Sequence, residues 1–223
     1  MLRFVYIYKD NGGDEILWSI RSIKKYCKTE CSITVITPKL TDKLKEFSDL
    51  IHFKAYDYYG KKQMNAIYKI LKYCNNMDEE FVLMNDDFIF LKDFEEIPIY
   101  TWGVLNEDFI RAKNGLYQVS LRNAIRTIGK EKPLNFEIHY PIVVNPKDFM
   151  SSMKGVSWNT HSTVYRSIYG NKYVKDYKDL DYDFKVYNIN DFKLLKDGDF
   201  MSLSDKSAKF DSVKELLLER GLL

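Results

Sequence analysis

Cysteine and histidine are both scarce in this chain. Its 223 residues hold three cysteines, Cys27, Cys31 and Cys74, an odd set with no Cys-x-x-Cys pair. That argues against a disulfide framework and a structural zinc site, and suits a reducing cytoplasm. No apolar run approaches the roughly 18 residues that a membrane span needs. The opening Met1-Leu2-Arg3-Phe4-Val5-Tyr6-Ile7-Tyr8 is too short and too aromatic for a signal peptide. Internal repeats and low-complexity linkers are lacking as well. Glycine never falls into a Gly-x-Gly-x-x-Gly or Walker-type loop, which argues against a Rossmann dehydrogenase or a P-loop ATPase. There is no Gly-x-Ser-x-Gly nucleophile elbow either. Excess charge of one sign is missing too: 34 basic against 32 acidic residues leave a net +2, so only local basic clusters could mark a nucleic-acid partner.

What is present is apolar and aromatic. Hydrophobic residues make up 45% of the chain and aromatic ones 15%, enough to build a packed core and to argue against disorder. Strand and helix signals alternate through the first ninety residues. Phe4 to Tyr8 reads as a strand, and Lys9-Asp10-Asn11-Gly12-Gly13 as the turn that breaks it. Asp14 is a candidate N-cap for a helix reaching Cys27, with Ile16, Ile20, Ile23 and Cys27 on one face. Ile33 to Thr37, Leu40 to Phe47 and Leu50 to Phe53 read as strand, short helix and strand. A helix from Lys61 to Cys74 then buries Met64, Ile67, Tyr68 and Leu71. The pattern predicts an α/β fold, a mainly parallel twisted sheet flanked by helices.

Beyond Asp93 the alternation fades. Leu116 to Ile128 reads as helix and Asn135 to Val144 as extended. Val164 to Tyr169 reads as one or two helical turns ended by Gly170-Asn171. Ser212-Val213-Lys214-Glu215 has the capping-box pattern of a final helix. We therefore expect one domain, with residues 1–95 forming one half and residues 96–223 an irregular α+β second half.

The chain's most informative stretch is Phe81-Val82-Leu83-Met84-Asn85-Asp86-Asp87-Phe88-Ile89-Phe90. Four apolar residues in a row suit a strand buried on both faces. Two ionised carboxylates cannot share that burial, so Asp86 and Asp87 belong where the strand leaves the sheet. Ligands bind at that edge in open α/β sheets. Hard oxygen ligands there suit Mg²⁺ or Mn²⁺ with a substrate phosphate. The plain alternative is a solvated turn. Lys61, Lys62 and Asn65 open the preceding helix, where free N–H groups and positive charge suit phosphate; a merely solvated helix start is the alternative. His139 lies in an extended stretch and His161 in the polar loop Ser157 to Thr163. Either could serve as ligand or base, and either could be purely structural.

Several segments together resemble a known group. Asp14-Glu15-Ile16-Leu17-Trp18-Ser19-Ile20-Arg21-Ser22-Ile23, followed by Ile33 to Thr37, resembles the opening of the Stealth-like and GT-A-like transferases. Asn85-Asp86-Asp87 resembles their Asn-Asp-Asp motif, the counterpart of the Asp-x-Asp motif of GT-A glycosyltransferases. Phe136-Glu137-Ile138-His139-Tyr140-Pro141 is similar to their Phe-Glu-x-His-x-Pro segment. Arg166-Ser167-Ile168-Tyr169-Gly170-Asn171 looks like a segment of small phage and bacterial members. The ordered set covers residues 1 to 171. The opening strand lacks the Tyr-Thr-Trp-Val-Asp-Gly segment of full-length Stealth proteins, which favours a compact glycosyltransferase.

The resemblance implies a cytoplasmic enzyme of a bacterial or phage-infected cell, with a GT-A-like fold and a nucleoside-diphosphate sugar donor, a UDP-sugar above all. Mn²⁺ or Mg²⁺ would sit on Asp86 and Asp87, with His161 as third ligand. His139 is the alternative ligand, or a catalytic group that orients the acceptor. Asn85, Lys61, Lys62, Asn65 and, less directly, Arg21 would meet the donor. The acceptor would be a surface glycan or a hydroxymethylated base of phage DNA, the latter approached by Arg111, Arg122, Arg126, Lys130 and Lys132. Two other readings stand beside this one: a Stealth-like sugar-1-phosphate transferase of polysaccharide synthesis, and a non-catalytic nucleotide- or DNA-binding protein.

Overall fold

The computed structural model describes residues 1–9, 13–180 and 182–223. The turn expected over Asp10-Asn11-Gly12 lies outside the described residues. The first half runs β1 (Leu2–Ile7), α1 (Glu15–Tyr26), β2 (Cys31–Thr37), α2 (Asp42–Lys45), β3 (Ile51–Lys54), α3 (Lys62–Cys74) and β4 (Phe81–Met84). The second half runs β5 (Phe88–Phe90), β6 (Tyr100–Thr101), α4 (Glu107–Arg111), α5 (Gly115–Ile128), β7 (Ile142–Val144), α6 (Pro146–Met153) and α7 (Tyr165–Tyr173). It ends with β8 (Lys178–Asp179), β9 (Lys185–Val186), α8 (Ile189–Leu195), β10 (Phe200–Leu203) and α9 (Asp211–Glu219).

The central sheet has the order β3-β2-β1-β4-β7. Its first four strands are parallel, and β7 closes the edge antiparallel to β4. Alternation along each strand feeds two cores. Phe4, Tyr6, Val35, Val82 and Met84 face α1, α9 and a second small sheet. Val5, Ile36, Phe81 and Leu83 face α3, α5, α6 and α7. All four residues of β4 are buried, as a strand covered on both faces requires.

The second half is more regular than its sequence suggests. Phe88 to Phe90 does not prolong β4. It starts a separate sheet of order β5-β10-β9, tucked under α1. Two small residues of α1 make room for it. Ser19 Oγ donates to the Phe88 carbonyl, and Ser22 Oγ accepts from Phe90 N at 3.1 Å. Three local expectations are corrected. The helix beginning near Tyr165 runs through Gly170-Asn171 to Tyr173, because Gly170 lies against the Phe136 ring and leaves no room for a Cβ. Asp14 precedes α1 but forms no side-chain cap, pairing with Lys43 at 2.6 Å instead. The capping box is at Asn188 and Asp191, opening α8, not at Ser212, which lies inside α9.

Candidate active site

Asn85, Asp86 and Asp87 form the turn between β4 and β5, at the carboxyl edge of the parallel sheet. Three segments converge on it. The first is α7. Arg166, almost fully buried, donates from Nη2 to Asn85 Oδ1 at 2.7 Å and from Nη1 to the Tyr140 and Ile138 carbonyls. One guanidinium thus joins the acidic turn to the stretch that carries His139, using the fork of donors that lysine lacks. Lower in the helix, Ser167 Oγ accepts from Phe136 N at 3.1 Å and Ser167 N donates to Glu137 Oε1 at 2.8 Å. The Asn171 amide pairs with both Leu134 backbone groups. The segments Phe136 to Pro141 and Arg166 to Asn171 are therefore two halves of one clamp.

The second segment is the small sheet. Its register pairs Ser202 with Phe88 on one side and with Lys185 on the other. Ser202 Oγ donates to Asp87 Oδ1 at 3.0 Å, and Lys185 Nζ forms an ion pair with Asp87 Oδ2. Asp87 and Lys185 are both mostly buried. Asp183, two residues before β9, lies 3.2 Å from His139 Nδ1 and accepts from Tyr187 Oη at 3.4 Å. Burial alone would raise the Asp183 carboxyl; the His139 ring and the Phe184 and Lys185 amides outweigh it and hold the group below its usual range. Burial, and then Asp183, push the Tyr187 hydroxyl up to about 12. Tyr117 of α5 feels Glu137, Tyr187 and Asp183, which adds to the upward push of its own burial.

The third segment is the start of α3. Lys62 faces Asp86 closely enough to pull its pKa down, but burial and Asp87 prevail and push it up to about 6. Asp86 presents an edge to solvent while protein crowds it from beneath. Among the described residues its carboxylate has no side-chain hydrogen-bond partner, in contrast to Asp87 beside it.

Other expected site residues lie elsewhere or are already engaged. Asn65 uses its whole amide on Tyr59, accepting from its N–H at 2.8 Å and donating to its carbonyl at 2.6 Å. Lys61 stands at the N-cap position of α3. Arg21 donates to the Leu222 carbonyl at 3.1 Å, holding the end of the chain against α1. His161 is exposed, with Nδ1 on Thr160 Oγ1 at 2.9 Å. Its loop meets α3 through Ser162 and Gln63. Among the described residues, no three side chains of His, Cys, Asp and Glu converge into a metal-holding group, so His161 does not join Asp86 and Asp87 there.

No family model and no curated protein matches the chain. Solved structures do. The galactosyltransferase LgtC, solved with donor and acceptor sugar analogues, superposes over 100% of both chains at a TM-score of 0.57 and 11% identity. The fold is GT-A-like. The glycosyltransferase GlyE of Streptococcus pneumoniae TIGR4 matches over 100% of this chain and 61% of its own, at a TM-score of 0.54 and 12% identity. The bifunctional glycosyltransferase WbbM matches over 80% of this chain and 38% of its own, at 0.51 and 13%. At such identities the likeness carries the fold, and the chemistry rests on the residues of the site.

GT-A-like transferases typically use a divalent cation; the hard oxygen donors at this turn are the Asp86 and Asp87 carboxylates, a pair rather than a group of three. Among the described residues Asp86 has no side-chain hydrogen-bond partner; Asp87 and Lys62 are the charges that act most on it, and Lys185 pairs with Asp87. Hard carboxylate oxygens are what Mg²⁺ and Mn²⁺ prefer. Asp183, Lys185, Tyr187 and Ser202 escaped the sequence reading. The first three alternate with the buried Phe184 and Val186, but β9 spans only two residues, too few for the alternation to mark a strand.

Proposed function

We propose that this chain transfers a glycosyl group from a nucleoside-diphosphate sugar, a UDP-sugar first among them, to an acceptor hydroxyl. The observation that carries this reading is the Asp86-Asp87 turn at the sheet edge of a GT-A-like fold, joined through Arg166 to the stretch that carries the His139–Asp183 pair. Asp86 and Asp87 would hold Mn²⁺ or Mg²⁺, which supplies charge neutralisation to the departing diphosphate. Lys62, at the positive end of α3, faces the phosphates. His139, with Nδ1 held by Asp183, accepts the acceptor's proton on its other ring nitrogen. As the acceptor oxygen bonds to the anomeric carbon, the bond from that carbon to the diphosphate oxygen breaks, and the diphosphate leaves with the electron pair.

A glycan acceptor is favoured over DNA. Arg111 and Arg122 share Glu107 at 3.9 and 3.7 Å, and Lys130 is committed to the Asn171 carbonyl, so part of the basic group is already engaged. The test is a thermal-shift screen of nucleotide sugars with and without Mn²⁺, followed by mass spectrometry of the product. A donor at 100 times its dissociation constant adds about 2.7 kcal/mol of stability. The reading fails if no nucleotide sugar shifts the transition. A phosphodiester in the product would replace it with sugar-1-phosphate transfer, and acceptor binding that collapses with salt would restore DNA.

A further inference from the structure

Lys185 faces two demands that one ammonium cannot meet. It pairs with Asp87 at a turn where Asp86 is a second carboxyl, Lys62 acts on Asp86, and the Arg166 guanidinium is held by Asn85 and two backbone carbonyls. A nucleoside diphosphate entering there adds negative charge that a mobile ammonium can meet, whereas the buried Arg166 guanidinium is already spent on Asn85, Tyr140 and Ile138. Lys185 is fixed at its backbone by the β9–β10 register, but its four-carbon stem is flexible and its ammonium can donate in several directions. Asp87 differs from Asp86 in having a direct ion pair, so a cation that takes Asp87 Oδ2 displaces Lys185 from it.

We propose that Lys185 is an exchangeable diphosphate ligand: it rests on Asp87 in the metal-free protein and turns to the donor's phosphates when a divalent cation takes over that carboxylate. The proposal rests on the donor reading above. It makes metal and nucleotide mutually reinforcing, because each favours the arrangement in which Lys185 has left Asp87, and such coupling is reciprocal. Without Lys185, Asp87 is open to metal from the start, while the phosphates lose a partner.

The experiment is Mn²⁺ binding by electron paramagnetic resonance, and UDP, GDP, CDP and ADP binding by calorimetry, in the full chain and in Lys185→Met. In the parent protein, Mn²⁺ should tighten the best-bound nucleotide by about tenfold or more over EDTA. Lys185→Met should bind Mn²⁺ alone about tenfold more tightly, the factor expected if Lys185 covers Asp87 about nine-tenths of the time. The same variant should bind nucleotide more weakly with Mn²⁺ present and lose most of the coupling. Lys185→Gln, which keeps a polar tip, guards against misfolding of the first variant and should behave alike. Unchanged or weaker Mn²⁺ binding in both folded variants overturns the exchange, as does parent nucleotide binding that is equal in EDTA and Mn²⁺; either result leaves the donor reading standing. A parent protein that binds neither Mn²⁺ nor any nucleotide overturns both.

Discussion

Asp86 carries a carboxyl raised from 3.8 to about 6, first by burial and then by Asp87. A carboxyl raised in the folded state binds its proton more tightly there than in the unfolded chain. Its contribution to stability is therefore present below pH 3.8 and is lost as the pH rises through about 6. Asp86→Asn should accordingly be more stable than the parent at pH 7.5 and no more stable at pH 4. Solvent at its open edge reduces the effect to about 1 kcal/mol, a shift of about 2–4 °C for a chain of this size, readable by calorimetry at the two pH values. The same variant should lose metal-dependent nucleotide binding. Asp183 makes the opposite case. Asp183→Asn should leave donor KM nearly unchanged and lower kcat by about 10²–10⁴-fold, the usual worth of a positioned base. An unchanged kcat would remove His139 from proton transfer.

Gly170 shows how an element can carry a site without touching it. It sits mid-helix in α7, where alanine normally gains roughly 1 kcal/mol over glycine. Here a Cβ would meet the Phe136 ring, itself almost fully buried. Gly170→Ala should therefore destabilise by about 1–3 kcal/mol and push the His139 stretch away from the acidic turn. Adding Phe136→Leu should recover part of the loss, a coupling that a double-mutant cycle would measure. The sequence made the acidic turn legible because a buried apolar run must stop where charge begins. It also showed the segments Phe136 to Pro141 and Arg166 to Asn171, but not that they close on each other, since their bonds join residues about thirty apart with β7 and α6 between them. Strands of two to four residues such as β9 and β10 are too short to fix a period, so Lys185 and Ser202 stayed hidden. The segments Asn188 to Asp191 and Ser212 to Glu215 share the capping-box spacing, so spacing alone does not distinguish the one that opens a helix from the one inside α9.

The central strands send alternate side chains into both cores, so neither face can empty while the other remains packed. We expect one cooperative unfolding transition, with near- and far-ultraviolet circular dichroism giving coincident curves. Two separate transitions would show that the small sheet unfolds on its own. The link between the two sheets also has a consequence for synthesis. Asp87 emerges from the ribosome 98 residues ahead of Lys185. At about 5–20 residues per second, the newborn chain holds its acidic turn for roughly 5–20 s before the matching lysine exists. Ser202 follows later still, so the newborn chain carries Asp87 without its full pair of side-chain neighbours until β9 and β10 have both been made.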